Sequence, residues 1–246
     1  MTQRLVPFEG VHNFRDLGGY ETDDGRLTRW GQLYRSDAMH DLTTSDLEVF
    51  RALGIAAIVD LRSPAEVQRT GRGIIEGEPH RFVSAPVLSN YATNESRGVV
   101  DETYLTRRYL QYLDLGAGAF VSVFDEMANE ANYPLVFNCF LGKDRTGVVA
   151  ALVLSCLGVR RARVIEDYAI SDERMVHIVA KLLRDPKLRG EIEGDDPSLL
   201  SARSQTMANF LLALDERYGG AVAWAQSAGV APTTIARVRD LLLDEG

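Results

Sequence analysis

The residues with the clearest capacity for chemistry are Cys139 and Arg145, which are separated by five residues. A loop that joins a strand to a helix can direct its backbone N–H groups at a tetrahedral anion, and the helix N-terminus adds positive potential. Arg145 can donate two hydrogen bonds to phosphate oxygens. The same potential favours the thiolate form of Cys139, which is the nucleophilic form. This spacing therefore predicts a nucleophile held against a bound phosphate group.

The flanking segments indicate the strand and the helix that such a loop needs. Residues 134–137 are short and β-prone, whereas the apolar run 148–154 continues too far for a strand and predicts a buried helix. Within the loop, Gly142 allows close backbone approach, Asp144 is a candidate proton donor, and Thr146 is a candidate hydroxyl partner for the sulfur. The alternative is a buried structural cysteine beside a helix N-cap.

The motif at residues 139–147, Cys-x-x-Gly-Lys-Asp-Arg-Thr-Gly, resembles the signature loop of the cysteine-dependent protein-tyrosine phosphatases. Its Lys-Asp-Arg version resembles the atypical bacterial protein-tyrosine phosphatase family of the mycobacterial protein-tyrosine phosphatase B type. Further segments agree with this family in order along nearly the whole chain: 13–20, 33–37, 59–66, 164–168 and 218–220.

The resemblance implies an α/β fold with a central, mostly parallel sheet flanked by helices, an N-terminal β-hairpin and extra C-terminal helices. It implies hydrolysis of phosphomonoesters on tyrosine, sometimes on serine, threonine or phosphoinositides. Cys139 attacks phosphorus and forms a phosphocysteine that water then hydrolyses. The residues expected to bind the phosphate, through backbone N–H groups or side chains, are Phe140, Leu141, Gly142, Lys143, Asp144, Arg145, Thr146 and Arg62.

The leaving group needs a proton, and two carboxyl groups are candidates for its source. The chain contains no Trp-Pro-Asp segment, which carries the acid in other tyrosine phosphatases. Asp144 is the counterpart in the resembling family and the first candidate, and Asp60 at a strand end is the second. Because Lys143 and Arg145 favour an ionised Asp144, either its surroundings keep it protonated or it acts as a base in the hydrolysis step.

Several basic and acidic residues near the motif receive expectations of their own. Lys143 is expected to widen an electropositive mouth, a feature of phosphatases that accept inositol phosphates; the alternative is a solvated surface lysine. Arg62 is expected at the rim of the pocket. Salt bridges that brace the sheet are the expected role for most of the charged residues in the other matched segments, Arg15, Asp16, Arg35 and Asp37.

One position departs from the family pattern. The family usually has a histidine immediately before the nucleophile, and this chain has Asn138. Asparagine donates and accepts hydrogen bonds but brings no titratable charge. We therefore expect a working site whose Cys139 ionises less readily than in the family.

Composition limits the remaining possibilities. The chain has 246 residues, is 46% hydrophobic and carries a net charge of −8. Its size predicts a single phosphatase domain over residues 1–246. The negative charge and the lack of a basic run argue against nucleic acid or an anionic membrane as an obligatory partner. The expected partner is a phosphorylated protein or a phosphoinositide, and the expected state is a monomer.

The cysteines and histidines favour neither a disulfide framework nor a metal site. Cys139 and Cys156 are the two cysteines, and Cys156 is expected in the helix core. The four histidines show no ligand spacing, and the chemistry needs no metal or cofactor. Because no apolar stretch has the length of a signal peptide or a membrane span, the expected location is the cytoplasm, with leaderless export left open.

The rest of the chain predicts the elements around the loop. Residues 11–36 predict a β-hairpin with a turn at Asp24-Gly25, residues 55–61 a buried strand, and residues 81–84 another strand. Ser45 and Glu48 are interpreted as a capping box that opens a helix ended by Gly54.

The second half of the chain is predicted to be mainly helical. A lid-like helical insertion is expected over about 85–131, with a mobile cover at 85–103 and a helix at about 117–131. A C-terminal helical portion covers about 161–246: two helices broken near Ser171-Asp172, an exposed loop at 190–197, and three helices over 198–244.

Two other functions remain open at this stage. One is a catalytically weak or inactive phosphate-binding module of the same fold. The other is a different cysteine-loop enzyme, such as a sulfurtransferase or an arsenate reductase, although their loops differ in length or cysteine set.

Overall fold

The computed structural model describes residues 4–88, 103–184, 189 and 196–245. Five strands form one sheet in the order β1-β2-β5-β3-β4. β1 pairs with β2 in the antiparallel sense, and all the other neighbours are parallel, which confirms the mostly parallel sheet. The strands are β1 (Arg15–Asp16), β2 (Leu33–Ser36), β3 (Ala57–Asp60), β4 (Arg81–Ser84) and β5 (Leu135–Asn138).

Helices surround this sheet. In chain order they are α1 (Thr44–Leu53), α2 (Pro64–Thr70), α3 (Tyr104–Leu115), α4 (Ala117–Met127), α5 (Asp144–Leu157), α6 (Arg161–Arg184), α7 (Ser204–Tyr218), α8 (Ala221–Ala228) and α9 (Pro232–Leu242). Short 3-10 helices lie at Met39–Asp41, Gly73–Gly77, Glu130–Asn132 and Pro197–Leu200. α5 is buried along its length and packs against α3, α6, α8 and α9.

The central strands are buried on both faces because alternate side chains enter different cores. Leu135 and Phe137 of β5 pack with α5 in the larger apolar cluster, whereas Val136 between them packs with Ile58 and Phe50 in a second cluster. This two-sided burial explains why these strands appear as continuous apolar runs in the sequence.

The first helix confirms its predicted end and corrects its predicted start. Gly54 adopts the left-handed conformation at the C-cap. The capping box is formed by Thr43 and Asp46, not by Ser45 and Glu48. Asp46 also accepts the backbone N–H groups of residues 9 and 10 at 2.7 and 2.9 Å, so a tertiary contact selects the start of the helix.

The predicted break near Ser171-Asp172 is wrong, because α6 is one continuous helix. The hydroxyl of Ser171 accepts hydrogen bonds from Arg15 at 3.1 Å and from Asn13 at 3.3 Å. Arg15 and Asn13 lie 156 and 158 residues away in the chain. The hydroxyl of Ser171 therefore forms a tertiary contact and does not break the helix.

Other predicted elements are also found within the described residues. The turn at Asp24-Gly25 joins an antiparallel bridge between Glu21 and Leu27. The C-terminal segment contains the three predicted helices, α7 to α9. α4 ends at Met127 instead of 131. The predicted cover at 85–103 and loop at 190–197 lie mostly outside the described residues. Over the described ranges, no helix is long and apolar enough to cross a membrane.

Candidate active site

Cys139 follows β5, the central strand of the sheet, and is 2% exposed. The carboxyl ends of parallel strands are where α/β sheets bind ligands. α5 begins at Asp144, and no side chain caps its N-terminus. Gly142 has a φ of 66°, and a Cβ there would lie 2.5 Å from the backbone nitrogen of Asp37. The loop between Cys139 and α5 therefore requires glycine at this point.

The carbonyl groups of the loop are held by side chains from the first strands. Asn13 donates to the carbonyls of Leu141 and Gly142 at 3.3 and 3.0 Å, and Arg35 donates to Gly142 at 2.8 Å. In a planar trans peptide, the carbonyl and the following N–H point in opposite directions. The N–H groups of Gly142 and Lys143 are thereby directed away from Asn13 and Arg35, as an anion cradle requires.

A buried carboxylate anchors this support. Asp167 on α6 accepts hydrogen bonds from Arg15 at 2.9 Å, Arg35 at 2.5 Å and Tyr20 at 3.0 Å. Burial by itself would raise the pKa of Asp167, but the two guanidinium groups outweigh it and hold that pKa well below its usual range. The bracing role predicted for Arg15 and Arg35 is confirmed. Asp167 lies in a matched segment, but the sequence analysis assigned it no role.

Asp16 and Asp37, for which salt bridges were also expected, form none among the described residues and instead brace the chain through backbone N–H groups. Asp16 accepts the N–H groups of Gly18 and Gly31, both at 2.7 Å. Asp37 accepts the N–H of Asn13 at 2.9 Å. These two carboxylates thus fix turns near the loop by hydrogen bonds.

Arg145 is oriented by a residue that the sequence analysis missed. Its guanidinium donates two hydrogen bonds to Glu66 at 2.7 and 2.6 Å. Burial opposes ionisation of Glu66, but Arg145 outweighs it and lowers the pKa of Glu66 to about 2. Glu66 also closes a capping box with Ser63 at the start of α2. The pattern Ser63-Pro64-x-Glu66 was the available signal for that helix, although not for its contact with Arg145.

Asp144 lies five residues after Cys139 in the sequence and is held through one oxygen. Its Oδ1 accepts a hydrogen bond from the hydroxyl of Tyr109 at 2.6 Å and lies 3.1 Å from Nζ of Lys143. The Asp144 side chain is 18% exposed. The hydroxyl of Tyr109 is also 2.6 Å from that of Tyr168. The sequence analysis did not predict this polar contact between Tyr109 and Asp144.

Lys143 does not widen an exposed mouth, and it is not a solvated surface lysine. It is fully buried, and its ammonium donates to the backbone carbonyls of Leu199 at 2.5 Å and Ser201 at 3.0 Å. These carbonyls lie 56 and 58 residues further along the chain, so local sequence does not reveal the contact. Its charge is compensated by these carbonyls and by Asp144.

Asp60 and Arg62 form a buried pair with each other. Arg62 donates to Asp60 at 2.6 and 3.0 Å, and each side chain is 2% exposed. Arg62 therefore does not lie on an exposed rim, because its charge is directed at Asp60. Asn138 donates weakly to Asp60 at 3.4 Å, and its own side-chain oxygen is buried without a hydrogen-bond partner among the described residues.

The remaining loop residues have these surroundings. The side chains of Phe140 and Leu141 pack against an apolar patch on α6 formed by Met175, Ile178 and Leu182. The hydroxyl of Thr146 is buried, and within the described ranges it has no hydrogen-bond partner, so its predicted bond to the sulfur is not formed in this structure.

Cys156 lies in α5, as expected, and burial raises the pKa of its thiol to about 12. Its surroundings are apolar residues of the larger core cluster. In the described part of the chain, no group of three or more histidine, cysteine, aspartate or glutamate residues is placed to hold a metal ion.

Comparisons with known proteins show the family to which the chain belongs. The sequence pattern of the tyrosine phosphatase family matches residues 6–244. The chain is 28% identical to triple specificity protein phosphatase PtpB of Mycobacterium tuberculosis, over 99% of this chain and 100% of that protein. It is also 28% identical to a protein of Cupriavidus necator whose name places it among the tyrosine-protein phosphatases, over 87% of this chain and 80% of that protein.

Among solved structures, the catalytic core of Siw14 aligns with a TM-score of 0.43 and 14% identity. That alignment covers 94% of this chain and 98% of the other.

Proposed function

The chain belongs to the tyrosine phosphatase family, and we propose on that premise that it hydrolyses phosphotyrosine in proteins through a phosphocysteine formed on Cys139. One observation carries the proposal. Cys139 follows the central strand in the loop that leads to α5, and Asn13 and Arg35 donate hydrogen bonds to the carbonyls of Leu141 and Gly142 in this loop. The N–H groups, the helix N-terminus and Arg145 are then available to an anion bound above the sulfur.

In the first step, the sulfur of Cys139 attacks phosphorus in line with the leaving oxygen. The sulfur–phosphorus bond forms as the bond to the leaving oxygen breaks. The loop N–H groups and Arg145 stabilise the charge on the three equatorial oxygens. Glu66 holds Arg145 in orientation with two hydrogen bonds, so little ordering of the guanidinium is needed when substrate binds.

In the second step, water attacks phosphorus and the sulfur leaves. Asp144 supplies the proton to the leaving oxygen in the first step and accepts the proton of the attacking water in the second. Asp60 is the weaker candidate, because both of its oxygens accept hydrogen bonds from Arg62.

Phosphotyrosine is proposed first among substrates because the reactive groups are recessed. Cys139 is 2% and Arg145 4% exposed, so a phosphate must reach inward, and a phenyl phosphate reaches further than a phosphoserine. Lys143 is fully buried, so its charge does not widen the mouth of the site for an inositol phosphate. Phosphoserine, phosphothreonine and phosphoinositides, which the family resemblance also implies, are the comparison substrates. The mycobacterial relative is named a triple specificity protein phosphatase.

The decisive experiment compares the two cysteines. Cys139→Ser is expected to abolish hydrolysis of p-nitrophenyl phosphate, whereas Cys156→Ser should retain it, because both thiols are buried but only Cys139 lies in the loop. Rapid acid quenching with labelled substrate should trap phosphate on Cys139. Unchanged turnover in Cys139→Ser would contradict the mechanism.

A substrate panel then tests the proposed preference. Peptides with phosphotyrosine, phosphoserine or phosphothreonine, and vesicles with phosphoinositides, are compared by kcat/KM with the purified full chain. The phosphotyrosine peptide is expected to give the highest value. A higher value for any of the others would replace phosphotyrosine as the substrate and leave the phosphocysteine mechanism intact.

A further inference from the structure

The hydroxyl of Tyr109 is a buried polar group that the chemistry described above does not use. Tyr109 lies on α3 and is fully buried. Its ring contacts three aromatic rings, those of Tyr112, Tyr168 and Phe210, at centroid distances of 5.9, 6.2 and 5.9 Å. These contacts fix the ring, so the hydroxyl occupies a defined place between Asp144 and Tyr168.

The directions of the hydrogen bonds follow from counting protons. The hydroxyl of Tyr109 has one proton, which it donates to Oδ1 of Asp144 at 2.6 Å. Tyr168 must then donate its own proton to the oxygen of Tyr109, also at 2.6 Å. Burial, followed by the charge of Asp144, raises the pKa of both phenols, which keeps both protons in place. The chain of donors thus runs from Tyr168 through Tyr109 to Asp144.

The two oxygens of Asp144 are therefore not equivalent. Oδ1 meets two donors, the hydroxyl of Tyr109 and the ammonium of Lys143 at 3.1 Å. Among the described residues, no hydrogen bond reaches Oδ2. A proton on Oδ1 would face both donors, so a protonated Asp144 carries its proton on Oδ2.

We propose that Tyr109, supported by Tyr168, is a positioning residue that fixes Asp144 through Oδ1 and assigns the proton transfers to Oδ2. This inference rests on the proposed function. As sulfur bonds to phosphorus and the leaving oxygen departs, the proton on Oδ2 passes to that oxygen. As water bonds to phosphorus and sulfur departs, a proton of the water returns to Oδ2. Tyr109 donates to Oδ1 throughout and is not consumed.

The sequence accommodates this arrangement at Gly147. A Cβ at Gly147 would lie 2.9 Å from Cδ2 of Tyr168. The glycine two residues after Arg145 thus lets Tyr168 approach α5, where its hydroxyl reaches Tyr109. This gives a role to Tyr168, which belongs to the matched segment 164–168.

The test uses Tyr109→Phe and two substrates that differ in leaving group. With phenyl phosphate, whose leaving group needs a proton, kcat is expected to fall about tenfold with KM little changed. With p-nitrophenyl phosphate, which leaves readily as an anion, the loss should be at most about threefold. Tyr133→Phe is the matched control, because its hydroxyl donates to the carbonyl of Met127 at 2.6 Å, and both substrates should be unaffected.

The double variant Tyr109→Phe/Asp144→Asn separates positioning from a general structural loss. If Tyr109 acts through Asp144, its replacement adds no further leaving-group-dependent loss once Asp144 is asparagine. Equal losses on both substrates, or a full additional loss in the double variant, would overturn the inference. If Tyr109→Phe does not fold, Tyr168→Phe takes the same test, with a smaller loss of the same leaving-group dependence expected.

The outcomes distinguish this inference from the proposed function. Loss of activity in Cys139→Ser, together with a leaving-group-dependent loss in Asp144→Asn but none in Tyr109→Phe, would reject only the role of Tyr109. No leaving-group dependence in Asp144→Asn would reject both the assignment of Asp144 and the inference. Retained activity in Cys139→Ser would reject the phosphocysteine mechanism itself.

Discussion

Two buried arginine–carboxylate clusters adjoin the same loop. Both consist of ion pairs, but they position different groups. In the Asp167 cluster, Arg15 and Arg35 share one carboxylate, and the three side chains are at most 1% exposed. In the Glu66 cluster, one guanidinium meets one carboxylate, and the side chains of Arg145 and Glu66 are 5% and 10% exposed.

The difference lies in what each cluster positions. The Asp167 cluster holds the backbone, because Arg35 continues to the carbonyl of Gly142. The Glu66 cluster holds a side chain, Arg145, that must itself meet the phosphate. We therefore expect damage to the Asp167 cluster to appear mainly as lost stability and damage to the Glu66 cluster mainly as lost turnover.

The largest expected effect is that of Asp167→Asn. Removing this charge leaves two buried guanidinium groups without a counter-ion, which typically costs about 3–5 kcal/mol of the free energy of unfolding. Urea unfolding measures it. Glu166→Gln, on the exposed side of the same helix, is the control and should change stability little. A loss in Asp167→Asn no larger than in this control would contradict the bracing role.

The second effect is on stability in acid. The pKa of Glu66 is about 2 in the folded chain, which is below its value in the unfolded chain. The stabilisation that ionised Glu66 gives to the fold is therefore complete above about pH 4.3 and is lost as the pH falls through about 2. The lowered pKa of Glu66 corresponds to at most about 3 kcal/mol of the free energy of unfolding. The difference in unfolding free energy between the wild type and Glu66→Gln should therefore narrow from pH 5 downward.

Asp167→Asn sharpens this comparison, because the pKa of Asp167 is held well below its usual range. The contribution of Asp167 to the free energy of unfolding should persist to lower pH than the contribution of Glu66. Urea unfolding at several pH values between 6 and 3 compares the variants. If the difference in unfolding free energy between the wild type and Glu66→Gln stays constant over this range, the ion pair between Glu66 and Arg145 is contradicted.

The third effect is on turnover. Glu66→Gln keeps a hydrogen-bonding side chain but removes the charge that orients Arg145, and we expect kcat/KM for p-nitrophenyl phosphate to fall about 10- to 100-fold. Glu126→Gln is a matched control, since Glu126 forms the same two-bond contact with Arg81 on the surface, at 3.0 and 2.8 Å. Equal kinetics in the two variants would remove the distinction between the clusters.

The smallest effect is expected at Asn138, which borders the loop. A histidine there would lie beside Asp60, whose carboxylate favours a protonated imidazole. That charge should favour the thiolate of Cys139, so half-maximal inactivation by iodoacetamide should move to lower pH by up to about one unit. The same midpoint in the wild type and Asn138→His would show that the departure from the family pattern has no effect on the sulfur.

The loop could be predicted from sequence because its information is local. A cysteine, a glycine and an arginine at fixed spacing, between an apolar strand and an apolar helix, predict a loop that joins the strand to the helix. The support for that loop was only partly predictable. Arg15 and Arg35 were expected in salt bridges, but their common partner Asp167 lies over 130 residues away (|i−j| of 152 and 132).

The errors have the same origin. Lys143 was assigned to the surface because a lysine in a polar loop usually is solvated, yet carbonyls more than fifty residues away bury its ammonium. Ser171 was interpreted as a helix break because serine competes for backbone hydrogen bonds, whereas Asn13 and Arg15 satisfy its hydroxyl within α6.

The sequence alone thus determined the proposed nucleophile, the candidate phosphate-binding loop and the sheet that carries them, because spacing along the chain sets the geometry of a turn and the period of burial. Only the tertiary structure decided which carboxylate orients Arg145, which phenol holds Asp144, and which groups compensate the charge of Lys143. Those contacts join separate elements, and hydrogen bonds of 2.5 to 3.0 Å depend on how the helices pack around the sheet.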